Sequence, residues 1–172
     1  MRKITLLMLL AVSIFVLSAC QQNEDSNVAD DEKMGKEVTK EDVRDFLIEY
    51  KSITHDLGSP AEKDVSEVLE AVKPYLNDEW YEMNERDKRV NFPRNYANAS
   101  GNDVKLNDVV IDNLEENAND EGYEVKYTLL LTVGKEDVEK EGDMKILQGD
   151  PKGFVITYDW EKQITVDGYQ FR

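Results

Sequence analysis

The apolar residues of this chain change their spacing once, near residue 103, and that change limits the folds open to it. Before it they recur at helical intervals: Val43, Phe46, Leu47, Tyr50, Ile53 and Leu57 form one stripe, and Val65, Val68, Leu69 and Val72 a second. After it they alternate with polar residues, most regularly at Tyr123, Val125, Tyr127, Leu129, Leu131 and Val133, which is the period of a strand with one face buried. The two periods place apolar side chains on one side of different backbones, so neither segment can exchange its conformation for the other and still bury them. Helices first and strands after predict an α+β domain, with two to three N-terminal helices packed on a bent antiparallel sheet.

Punctuation divides the helical part. Thr39-Lys40-Glu41-Asp42 is a capping arrangement for a first helix, and Gly58 is its natural stop. Ser59-Pro60-Ala61-Glu62 offers a second start, with Ser59 as cap and Pro60 at the first helical position. Pro74 ends or kinks that helix near Lys73. A third short helix is expected from Asn77 or Asp78, carrying Trp80, Tyr81 and Met83. From Asp87 to Asp103 the pattern dissolves, and the segment reads as a loop.

In the strand part, Val104 and Leu106 share one phase while Val109 and Ile111 share the other, so a bulge is expected near Asn107 or Asp108. A weaker strand passes through Met144 and Ile146. Phe154, Ile156, Tyr158 and Trp160 alternate, followed by Ile164 and Val166, with a turn at Glu161-Lys162 or a bend at Asp167-Gly168. Asn117, Asn119, Glu121 and Gly122 have some of the order of a calcium loop, but the twelfth position is Thr128 instead of a glutamate, and a hairpin turn is the expected reading.

The order of elements from Thr39 to Arg172, with the phrase Val72-Lys73-Pro74-Tyr75-Leu76-Asn77-Asp78-Glu79-Trp80-Tyr81, resembles the NTF2-like family. The resemblance implies a cone, in which a bent sheet wraps the helices. It also implies that an enzyme of this kind would place an acidic residue, a histidine or a tyrosine inside the cone.

The N-terminus reads as an address. Arg2 and Lys3 precede an uncharged stretch from Ile4 to Leu17, long enough for a signal peptide and short of the ~20 residues a membrane-spanning helix needs. It ends in Leu17-Ser18-Ala19-Cys20, which resembles the lipobox of bacterial lipoproteins. That resemblance implies residues 1–19 as a signal peptide, cleavage before Cys20, and covalent diacylglycerol on its thiol, with no other cofactor. Cys20 is the only cysteine, so no intramolecular disulfide is available to this chain. Two acyl chains are a sufficient anchor, placing the protein on the extracytoplasmic face of the cell membrane.

Residues 20–38 hold Glu24, Asp25, Asp30, Asp31 and Glu32 and no aromatic residue, and read as a disordered acidic tether. As a flexible coil its ends average ~25 Å apart, with an extended limit near ~60 Å. Residues 39–172, roughly 130 in number, are then one domain of ordinary size. The formal charge of −16 becomes −18 once Arg2 and Lys3 are removed. Nucleic acid is therefore not an expected partner, because no basic cluster is present to neutralise phosphates.

No catalytic constellation is evident. His55, the only histidine, lies off the Val43 to Leu57 stripe and is expected to be exposed, so neither a histidine triad nor a histidine-containing metal site is expected. Asp108, Asp112, Asp159 and Asp167 lie on or beside strands and are read as outward carboxylates, with a buried general base as the alternative. Tyr123, Tyr127, Tyr158 and Trp160, with Tyr169 and Phe171 nearby, either line a pocket for an apolar ligand or simply form core. The expectation is a lipid-anchored, non-enzymatic envelope protein that binds a partner protein or small apolar ligand. The alternative is an enzyme using a pocket carboxylate and tyrosine.

Overall fold

The structure is a computed structural model that describes residues 37–117 and 122–172. Leu17, Ser18, Ala19 and Cys20, almost all of the expected tether, and Asn119 and Glu121 lie outside the described residues. Residues 37–172 form one unit.

Helix α1 spans Lys40–His55, and its start is the expected one: the Thr39 hydroxyl accepts from the Asp42 amide while the Asp42 carboxylate accepts from the Thr39 amide. Its buried face runs through Val43, Phe46, Leu47 and Tyr50, then continues into Lys51, Thr54 and His55. Ile53 is half-buried, and Leu57 is buried beyond the helix end, where it pairs with Val104.

The second helix does not begin at Ser59. The Ser59 amide donates to Asp103 at 2.7 Å and its hydroxyl to the Ala97 carbonyl at 3.1 Å, which ties this stretch down as a loop. Helix α2, Val65–Val72, starts instead after Asp64, which forms a reciprocal capping box with Glu67. Its buried face is Val68, Leu69 and Val72, with Val65 half-buried, and it gives way to a 3-10 turn, Lys73–Tyr75, at Pro74. Helix α3, Asp78–Asp87, is capped by Asn77 as expected.

The stretch from Asp87 to Asp103 is not a loop. Lys88 takes a left-handed backbone, φ 53°, that ends α3, and after a 3-10 turn, Arg89–Asn91, helix α4 spans Phe92–Ser100. Pro93 sits in the first turn of α4, and Gly101, φ 74°, closes it. The helix was hidden in the sequence because only Pro93, Tyr96 and Ala97 are buried, too few for an apolar stripe. The described residues thus hold four α-helices where two to three were expected.

The sheet is antiparallel in the order β1-β2-β3-β4, with β1 at Val104–Asn117, β2 at Gly122–Val133, β3 at Glu136–Gly149 and β4 at Gly153–Glu161. The register of β1 shifts between Leu106 and Asp108, where a bulge was expected, and again between Ile111 and Asn113. β3 is much longer than the strand read at Met144 and Ile146: its first half, rich in acidic residues, has no apolar alternation, yet Lys140 within it is fully buried. Beyond β4, β5 at Ile164–Val166 and β6 at Tyr169–Phe171 form a hairpin whose turn residues Asp167 and Gly168 both have positive φ, 51° and 81°. Of the two reversals weighed in the sequence, the one at Asp167-Gly168 occurs, whereas at Glu161-Lys162 the chain stays with β3, the Lys162 amide donating to the Glu141 carbonyl.

One irregularity decides what enters the interior. On β4, Ile156 pairs with Ile146 but Tyr158 pairs with Lys145, leaving Thr157 unmatched. This reverses the facing of the strand. Phe154 and Ile156 are buried before the bulge, Asp159 and Glu161 turn inward after it, and Tyr158 and Trp160 are 38% and 46% exposed.

Opposite this strand end, Gly142 of β3 faces Tyr127 of β2, and a Cβ at 142 would fall within the Tyr127 ring. Gly142→Ala is therefore expected to lower the unfolding free energy by about 1–3 kcal/mol. Denaturant titration checks this, and an unchanged midpoint would show that the ring does not need that gap.

Candidate functional site

The inner face of α1 and the end of β4 enclose a cluster of ionisable groups. Lys51 Nζ lies 2.6 Å from Asp159 Oδ2 and 2.6 Å from Glu161 Oε1. Lys140, from β3, donates to Glu161 Oε2 and sits 4.5 Å over the ring of Phe171. His55 Nε2 is 3.2 Å from the same Glu161 oxygen. Tyr127 donates to Asp159 Oδ1 at 2.6 Å and Tyr50 to Oδ2 at 3.2 Å. Lys51, His55 and Lys140 are each no more than 1% exposed. Two lysines face two carboxylates, so the cluster is neutral as a whole, and every carboxylate oxygen has a donor.

The surroundings set the proton positions. Burial alone raises the Glu161 carboxyl, but Lys140, Lys51 and then His55 outweigh it and hold it well below the ordinary carboxylate range. Burial lowers His55, with Glu161 opposing and the two lysines reinforcing the shift. The imidazole is then neutral at pH 7. The tautomer that satisfies Glu161 carries its proton on Nε2, and the Thr54 hydroxyl then turns its one proton to Nδ1, 2.8 Å away, in place of the Lys51 carbonyl at 3.2 Å. Burial depresses Lys51, but Asp159 and Glu161 together hold it above its usual value. Burial, reinforced by Lys51, holds Lys140 below its usual value against Glu161 and, more weakly, Asp159. Burial, then Asp159, raises both Tyr50 and Tyr127 well above the usual phenol value, so both keep their protons.

This cluster floors a cavity of about 510 Å³ beneath α3, the 3-10 turn Arg89–Asn91 and the start of α4. Its wall includes Trp80, Asn84, Val90 and Phe92, and its mouth is edged by Arg89, Trp160 and Arg172. Asn84 is 3% exposed and donates to the Trp80 carbonyl. The Arg89 guanidinium lies 5.0 Å from the Trp80 ring centre. Among the described residues no group of three or more His, Cys, Asp and Glu side chains is arranged to hold a metal ion.

Several residues singled out in the sequence land elsewhere. Of the four aspartates only Asp159 joins the cluster; Asp108 binds Arg44 at 2.7 Å, Asp112 accepts from Thr128 and Asp167 from Asn102. Of the four pocket aromatics, Tyr127 reaches the cluster and Trp160 edges the mouth. Tyr123 packs against the core, and Tyr158 lies outside against Trp80, with ring centres 5.5 Å apart. His55 is buried, contrary to expectation, because Leu47, Lys51 and His55 form one row at intervals of four. That row was obscured by the lysine within it. Glu161, Lys51 and Lys140 carried no sequence signal, since each reads as an ordinary solvated charge.

Neither a family model nor a curated protein sequence matches the chain. Among solved structures it is similar to the NTF2-like potential transfer protein TraM of the Gram-positive conjugative plasmid pIP501, at 13% identity and TM-score 0.51, over 75% of this chain and 100% of that one. It also matches a periplasmic fragment of TraM at 10% identity and TM-score 0.48, over 73% of this chain and 98% of that one. At such identity the first likeness is one of fold, and the fold is NTF2-like.

The proton positions give a pH signature. Unfolded Glu161 binds a proton near the ordinary value of about 4.3 and unfolded His55 near about 6.5, while both folded values are lower. Stability is therefore lost as pH falls below about 6.5 and again below about 4.3. Glu161→Gln, which leaves Lys140 without its carboxylate, is expected to cost about 3–5 kcal/mol at pH 7 and to shrink the lower step, to which Asp64 and Asp87 also contribute. Unfolding free energies measured from pH 8 to 3 check both. A wild-type profile flat across that range would contradict this assignment.

Proposed function

We propose that this chain is a lipid-anchored extracytoplasmic lipoprotein whose α+β domain binds a small ligand in its cavity without transforming it. The anchor rests on Leu17-Ser18-Ala19-Cys20 and its flanks, with diacylglycerol on Cys20 holding the protein to the cell membrane and residues 20–38 acting as a tether. The binding role rests on one observation: the floor of the 510 Å³ cavity is polar, buried and already neutralised within itself. A volume of that size suits a small organic molecule. With every oxygen of Asp159 and Glu161 engaged by a donor, neither carboxylate is poised as a base.

A second reading, an enzyme, is favoured by one contact. Asp159 at the cavity floor accepts from Tyr127 behind it at 2.6 Å, and these are the carboxylate and tyrosine such chemistry would use. The two readings separate on the fate of small molecules co-extracted with the protein. Recovery of these molecules unchanged after long incubation fits binding, whereas a product whose formation Asp159→Asn abolishes fits the enzyme.

The anchor is tested by mass spectrometry of the N-terminal peptide from membrane-extracted protein. A diacylglyceryl mass on Cys20 is expected, with a Cys20→Ser variant left unprocessed or released to the soluble fraction. An unmodified Cys20 in wild-type protein would overturn the anchor.

A further inference from the structure

The cavity has an asymmetry between donors and acceptors. Its floor carboxylates are taken: Asp159 receives Tyr127, Lys51 and Tyr50, and Glu161 receives Lys51, Lys140 and His55. Asp87, at the rim, is held by Arg86 at 2.8 and 3.3 Å. Its donors are not exhausted. Trp80 is 4% exposed, and its indole N–H has no acceptor among the described residues. Lys51 commits two of its three protons to the carboxylates. Arg89 makes only a long 3.5 Å contact to Asp87, and Arg172 gives only its Nε, to Gln163.

Charge follows the same direction. The floor sums to zero, and at the mouth Arg89 and Arg172 face one lining carboxylate, Asp87, which Arg86 also engages from outside the cavity, so the mouth carries a surplus of one positive charge. This surplus stands out on a chain of formal charge −16. The remaining wall is apolar and aromatic, with Trp80, Trp160, Val90 and Phe92.

We infer that the cavity takes a small organic anion: a planar apolar body against Trp80 and Trp160, with a carboxylate or similar oxyanion directed at Arg89 and the Trp80 N–H. This rests on the ligand-binding reading above. It requires the ligand to bring a negative charge to the mouth, because a neutral or cationic molecule would leave the surplus at Arg89 and Arg172 unmatched.

The chain has two tryptophans, and both line the cavity, so their indole N–H resonances report its occupancy directly. The test titrates ¹⁵N-labelled full-length protein, held in one concentration of nonionic detergent, with 2-naphthoate, 2-naphthamide and 2-naphthylmethylammonium. The expected result is that naphthoate shifts both indole signals with a Kd at least tenfold below that of naphthamide. Arg89→Gln should reduce that preference to less than threefold, with a dispersed amide spectrum matching wild type away from the cavity showing that the variant is folded. Equal or tighter binding of the amide or the ammonium compound would overturn the anion assignment and leave the binding reading standing. No shift with any of the three probes at millimolar concentration would overturn both.

Discussion

Two lysines with almost no access to water, Lys51 and Lys140, impose the condition around which the rest of this interior is arranged. An ammonium group cannot remain buried and charged without a counter-charge at contact distance. The carboxylates come from β4, and they reach the interior only because the bulge at Thr157 reverses the facing of that strand. Without it, Tyr158 and Trp160 would point inward and Asp159 and Glu161 outward. The bulge, the lysines and the two carboxylates are therefore one device. It joins α1, β3 and β4 at a point where apolar packing would otherwise fill the interior.

A polar floor has consequences above it. Apolar side chains cannot close over unshielded charges without cost, so the helices α3 and α4 bridge the end of the sheet and leave a cavity below. The aromatic residues divide accordingly. Tyr50 and Tyr127 lie beneath, lending their hydroxyls to Asp159, while Trp80 forms the wall. Gly142 contributes by absence, since its missing side chain admits the Tyr127 ring. The neutralised floor, with Arg89 and Arg172 at the mouth, sets the cavity apart from the acidic surface of the chain.

What the sequence reveals of this arrangement follows from where apolar burial dominates. The α1 stripe, the Asn77 cap, the β1 bulge and the β2 alternation were all legible, because each depends on local spacing or on one capping residue. The start of α2 was misplaced because Ser59-x-x-Glu62 and Asp64-x-x-Glu67 satisfy the same capping pattern, and only the tertiary bonds that Ser59 donates to Asp103 and Ala97 decide between them. The site itself was nearly invisible. A bulge in β4 leaves no local trace in Phe154-Val155-Ile156-Thr157-Tyr158, and the buried charges look like surface charges until their partners are in place. Asp159 and Tyr127 were singled out; Glu161, which holds three cations or donors, was not.

The central claim is that ionised Glu161, engaged by Lys51, Lys140 and a neutral His55, occupies the interior. The chain has one histidine, so ¹⁵N NMR of the imidazole gives an unambiguous readout. The account predicts a neutral ring at pH 6, with the proton on Nε2 and Nδ1 bare, which resists protonation well below the ordinary value of about 6.5. A ring that titrates near about 6.5, or that carries its neutral proton on Nδ1, would contradict it.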